Sequence, residues 1–152
     1  MQNLSSGVQL DPTLAPLICA GLLGEPRNLV AVRHQLESWA STTGLSASAV
    51  ADLVLSGYEA LANAAEHAYP SGLGPVDLVA ARTTDGRVLV TVGDRGRWRP
   101  PPADPGFRGR GLMMIHALAH GVEVQQSPQG TTVYMEWTLP AAGAGSTTAQ
   151  HE

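Results

Sequence analysis

Glu59, Asn63 and His67 recur every four residues through GYEALANAAEHAYP, residues 57 to 70, a stretch otherwise built largely from alanine. At about 100° per residue the three share one helical stripe, with Val50, Leu53, Val54, Leu61, Ala64, Ala65 and Ala68 clustered on the other side. A carboxylate, an amide and an imidazole in line can handle protons and ligands, yet the same stripe is what any half-buried helix shows to water. Three further features carry polar chemistry. Asp94 ends a strand-like run and is followed by Gly96, which presents a carboxylate where the backbone can be approached closely; a plain turn gives the same pattern. GFRGRGL, residues 106 to 112, puts Gly109 and Gly111 just before a helix start at Leu112, where unpaired N–H groups favour an anion. Gly130, Thr131 and Thr132 open the last strand, or simply close a hairpin.

The surrounding periodicities say which elements must hold these groups. Residues 17 to 23 form a first strand. Pro26 and Asn28 introduce a helix through about Ala40, with Leu29, Val32, Leu36 and Trp39 on its apolar side, and Gly44 ends it. Ser46 is the N-cap of a second helix, which carries the Glu59 stripe and stops before Pro70. VDLVAAR and RVLVTVGD are strands joined through the Asp-Gly pair of TTDG. From Arg95 to Arg108 four prolines forbid regular helix or a central strand, so this segment is a long surface loop. LMMIHALAH resumes helical spacing. VEVQQ and TTVYMEWTL then alternate around the turn SPQG, with Val133, Met135, Trp137 and Leu139 on one face. Strand, two helices, two strands, loop, helix and two strands make an α/β (α+β) two-layer sandwich, a sheet with helices on one face. Residues 1–12 are expected to be a flexible N-terminus, 13–140 the domain and 141–152 a disordered tail.

Composition narrows the chemistry. The chain has 152 residues, 43% hydrophobic and 14% charged, enough for one domain with a buried core. A net charge of −4 argues against a general nucleic-acid surface. All nine basic residues are arginine, so a lysine-based phosphate loop and Schiff-base chemistry are both excluded. Arg95, Arg97, Arg99, Arg108 and Arg110 crowd into one short segment. The single cysteine, Cys19, fits a reducing cytoplasm, and the apolar run from Leu14 is too short to span a bilayer; neither export nor membrane association is expected.

E-x-x-x-N-x-x-x-H-A-Y (Glu59, Asn63, His67 to Tyr69), D-R-G-R-W (94 to 98), G-R-G-L (109 to 112) and G-T-T (130 to 132) are loose one by one and specific together. In order and spacing they resemble the nucleotide site of the histidine-kinase-like ATPase superfamily, and most closely the small anti-sigma-factor serine kinases of the RsbW and SpoIIAB type, over roughly residues 17 to 139. The resemblance implies a Bergerat-type ATP-binding fold with a mixed, mostly antiparallel sheet. It implies ATP and Mg²⁺ as cofactors. Asp94 would select adenine by accepting from its exocyclic amine, Gly96 would let the base lie against the chain, and Thr132 would support the same contact. Asn63 would give an amide oxygen to Mg²⁺. Arg108, Gly109, Arg110, Gly111 and the helix start at Leu112 would cradle the phosphates, with the Arg-rich loop as a lid. Glu59 would be the catalytic general base. The implied activity is a serine/threonine kinase that phosphorylates an anti-anti-sigma (STAS) protein and sequesters a sigma factor, acting as a homodimer. Arg33, on the first helix, falls where the resembling family contacts both partners. The alternative is a nucleotide-dependent switch that sequesters partners without efficient phosphotransfer.

Overall fold

The structure is a computed structural model that describes residues 7–67, 74–96 and 106–141; the side chains of His67 and of residues 106–111 lie outside that description. Eight elements follow in the order β1 (Leu17–Leu23), α1 (Pro26–Ala40), α2 (Ala47–His67), β2 (Pro75–Arg82), β3 (Arg87–Asp94), α3 (Gly106–Leu118), β4 (Gly121–Ser127) and β5 (Gly130–Thr138). The strands form one sheet in the order β1-β2-β3-β5-β4. Among the described residues all four pairings are antiparallel, without the parallel component that a mixed sheet would carry.

Local chemistry explains each element. Pro26 starts α1 where its missing N–H costs nothing, and Leu29, Val32, Leu36 and Ala40 bury its inner stripe. The Ser46 hydroxyl accepts from the Ala49 N–H at 3.1 Å and caps α2. β3 is rich in β-branched residues and is buried without interruption from Val88 to Val92, with a neighbouring strand paired along each edge. Val76 and Leu78 of β2, Val88 and Val90 of β3, Met135 and Trp137 of β5 meet Leu36, Leu53 and Leu61 of the helices in one core. Burial of each such side chain is worth about 1.5–3 kcal/mol. The Trp137 indole N–H donates to the Leu118 carbonyl at 3.1 Å, which fixes the end of α3 on the sheet.

Two boundaries differ from those expected. Part of the segment expected to be flexible is tied down: Leu10 bridges Thr83, the Asp11 N–H donates to the Arg82 carbonyl at 2.8 Å, and the Arg82 guanidinium pairs with Asp11 at 3.0 Å. The partner that holds these residues is some seventy positions away in sequence, so no local period announces it. Hydrogen bonds from Thr13, then the Arg82 charge, hold the Asp11 carboxyl below its ordinary value. The second difference is α3, which begins at Gly106 rather than Leu112. Gly109 and Gly111 lie within its first turns, at a helix-propensity cost of about 1 kcal/mol each that the following apolar run offsets. Residues 1–6, the tail 142–152 and the proline-rich stretch 97–105 expected to form a lid are outside the described residues.

The sheet order has a direct consequence for function. β5 inserts between β3 and β4, so the last residues of β3 lie against the first residues of β5, with Gly93 opposite Thr132. Asp94 and the Gly130 to Thr132 run, far apart in the chain, become neighbours.

Candidate functional site

Asp94 is held by backbone from two sides. One carboxylate oxygen, Oδ1, accepts the N–H of Gly96 at 3.0 Å and the N–H of Thr131 at 3.2 Å. The side chain is thereby aimed from the end of β3 toward the helix layer. Gly130 makes the approach possible: at φ +148 it sits so close that a Cβ there would fall 2.0 Å from the Asp94 carbonyl oxygen. Asp94, Thr131, Gln126 and Asn63 supply the polar groups of one cleft of about 50 Å³ between α2, α3 and the β3/β5/β4 end of the sheet. Its apolar walls come from Ala60, Ala64, Val92, Leu112, Ile115, Val124 and Val133. Apolar walls around a backbone-held carboxylate suit an apolar group that carries a hydrogen-bond donor.

Residues 22–137 match the family model of the histidine kinase-like ATPase domain. The chain belongs to this family. Among solved structures it is similar to the RsbU and RsbW domains of Rv1364c from Mycobacterium tuberculosis, at 30% identity and a TM-score of 0.68, over 82% of this chain and 32% of that one. It thus spans about a third of that protein's chain. The fold also recurs in the histidine kinase domain of the blue-light activated kinase of Erythrobacter litoralis EL346, at 19% identity and TM-score 0.53, over 74% of this chain and 60% of that one. It recurs again in the SiaB-SiaC complex from Pseudomonas aeruginosa, at 14% identity and TM-score 0.55, over 81% and 89% of the two chains.

Within this ATPase domain the residues singled out in the sequence do not all converge. Asn63, Asp94 and Leu112 line the cleft, and the backbone of buried Gly96 closes the turn beside Asp94. Glu59 is half-buried one turn before Asn63 on α2 and is not among the lining residues. Thr132 stands on the opposite face of the sheet, where its hydroxyl would lie 3.6 Å from a Cβ on Gly93, and the Thr131 N–H is the one that meets Asp94. The signal was in the sequence, since the alternation that turns Val133, Met135 and Trp137 inward turns Thr131 inward as well. Gln126, on β4, carries no motif and joins the cleft only because β4 pairs with β5, opposite Thr131. Arg108, Gly109, Arg110 and Gly111 fall in α3 rather than in a turn before it. In a helix with that start the free N–H groups are those of residues up to 108, so they precede both Gly109 and Gly111.

A larger groove of about 620 Å³ lies on the outer side of α1 and α2, away from these motifs. Arg33 stands at its rim with the guanidinium carbon 5.6 Å from the centre of the Tyr58 ring, and Val50, Val54 and Leu55 contribute apolar surface. Volume does not decide between the two hollows. The smaller one gathers the polar groups of three separate motifs, and the larger one gathers none of them. Among the described residues no cluster of three or more His, Cys, Asp or Glu forms a metal site, and no helix is long and apolar enough to cross a membrane.

Proposed function

We propose that the chain is an ATP-dependent serine/threonine kinase of anti-sigma-factor type, which phosphorylates a STAS-domain anti-anti-sigma protein and sequesters a sigma factor in the cytoplasm as a homodimer. The observation that carries this reading is the convergence of Asn63, Asp94 and Thr131 on one apolar cleft. The 30% identity to a chain that contains an RsbW domain supports the anti-sigma branch.

Asp94 accepts from the exocyclic amine of adenine; guanine presents a carbonyl at that position and leaves a half-buried carboxylate facing an acceptor, which selects ATP. Thr131, which also lines the cleft, offers a hydroxyl for a second contact. Asn63 would hold Mg²⁺ through its amide oxygen, of the kind that hard cation prefers. The metal, when bound, neutralises phosphate charge. The free N–H groups at the start of α3, with Arg108 and Arg110 of the same turns, favour the phosphates there. Glu59 takes the proton of the incoming seryl hydroxyl as its oxygen bonds to the γ-phosphorus, the bond to the β-phosphate oxygen breaks, and ADP leaves. Glu59 stands outside the cleft's lining, an arrangement that also suits a nucleotide-dependent switch holding its partners without efficient phosphotransfer.

Radiolabelled phosphotransfer from ATP to the STAS proteins of the same genome tests the choice. The kinase reading expects label on a STAS serine or threonine, and a loss of roughly 10²–10⁴-fold with Glu59→Ala while ATP binding persists. Turnover that survives Glu59→Ala would refute Glu59 as the base. Partner capture without any label would establish the switch.

A further inference from the structure

Asp77 lies near the start of β2, between Val76 and Leu78, both fully buried toward the helices, so its own side chain stands on the opposite face. There it collects two partners from different strands. Its Oδ1 accepts the N–H of Gly21 at 2.6 Å, and Arg95 places one guanidinium nitrogen 3.0 Å from Oδ1 and 3.0 Å from Oδ2. Gly93, paired opposite Asp77, has no side chain to stand between them. Gly21 adopts φ +68 where the β1–β2 register shifts between Cys19 and Leu22, and this turns its N–H toward the carboxylate. Arg95 is the residue between Asp94 and Gly96. Its anchorage therefore fixes the middle of the turn whose two ends orient the cleft carboxylate.

We propose that Asp77 and Arg95 are a positioning pair that holds the Asp94 to Gly96 turn in the geometry that binds the base. Neither side chain lines the cleft; both act through Asp94. The proposal rests on reading the cleft as a nucleotide site. As a contributor to global stability the pair is weak, because the Arg95 side chain is 58% exposed and the Asp77 side chain 30%. Its effect falls on the aim of Asp94, because Arg95 is the residue that joins Asp94 to the Gly96 N–H its carboxylate accepts.

Charge supplies a test that geometry alone would not. ATP is a polyanion, so removing Arg95 by a purely electrostatic route weakens binding, and removing Asp77 strengthens it. A positioning pair predicts the same sign for both. Calorimetric ATP affinity is measured for wild type, Asp77→Asn, Arg95→Gln and the double variant, with melting temperatures alongside. Asp77→Asn keeps an oxygen for Gly21 and so preserves the β1 irregularity. The expected result is ATP binding weakened about 3–10-fold in each single variant, with the double no weaker than the weaker single and melting within a few degrees of wild type. Opposite signs, additive losses, or wild-type affinity in either single variant would overturn the pair. The nucleotide reading fails separately: folded wild type that binds no ATP sinks both, whereas ATP binding lost in Asp94→Asn and intact in Asp77→Asn and Arg95→Gln sinks only the pair.

Discussion

Substituting Gly130 by alanine strikes the site through the backbone. An alanine Cβ would meet the Asp94 carbonyl oxygen at 2.0 Å, the Asp94 carbonyl carbon at 3.0 Å and the Arg95 Cα at 3.1 Å. Carbon and oxygen rest at roughly 3.3–3.6 Å even in close C–H···O contacts, so the end of β3 and the start of β5 must part by more than about 1 Å. All three atoms are main chain, and no rotamer change relieves them. The first casualty is the hydrogen bond from the Thr131 N–H to Asp94, already long at 3.2 Å. A hydrogen bond to a charged acceptor is worth about 1.5–3 kcal/mol, and overpacking adds strain of about 1–3 kcal/mol to the fold. Gly130→Ala is therefore expected to bind ATP about 10–100-fold more weakly and to melt earlier. Gly86→Ala is the matched control: Gly86 also has a positive φ, +87, at the distal β2–β3 hairpin, but a Cβ there meets nothing within 4 Å. It should lose stability through backbone strain and keep its ATP affinity. Isothermal calorimetry with thermal melts measures both. A folded Gly130→Ala protein with wild-type ATP affinity would refute the claim that the β3/β5 junction forms the base site.

Arg33→Ala removes a cation from the rim of the α1/α2 groove, and on the proposed function it weakens partner binding by about 2 kcal/mol, some 30-fold, with ATP affinity unchanged. Surface plasmon resonance against a sigma factor and a STAS protein checks this, and equal affinities for wild type and variant, with both partners bound, would leave Arg33 as ordinary surface. Ser56→Ala should raise stability by about 1 kcal/mol, or roughly 3–5 °C in Tm, because the buried Ser56 hydroxyl has no hydrogen-bond partner and alanine is the better helix former. An unchanged or lower Tm would show that the hydroxyl is satisfied in solution.

Much of this domain is written in short-range pattern. The 3.6-residue spacing of Leu29, Val32 and Leu36, the Ser46 cap and the Asp-Gly hairpin each act within a few residues, so the helices and the β2–β3 pair are legible from sequence alone. The Glu59–Asn63 stripe is legible for the same reason. What pattern leaves open is which side of a strand a motif residue takes once its motif is looser than its parity: Thr131 rather than Thr132 meets Asp94, because β5 packs Val133, Met135 and Trp137 into the core and parity does the rest. Short-range rules also misjudge the start of α3, where glycines that read as a turn join a helix docked on the sheet. Long-range partners were invisible altogether. Leu10 against Thr83, Gln126 opposite Thr131, and Asp77 bound to both Gly21 and Arg95 join residues from separate strands and segments. The physical reason is common to all of them: a cap or a turn is decided by neighbours in the chain, whereas the order β1-β2-β3-β5-β4 is decided by burying every apolar face at once, and only that order brings Asp94 to Gly130.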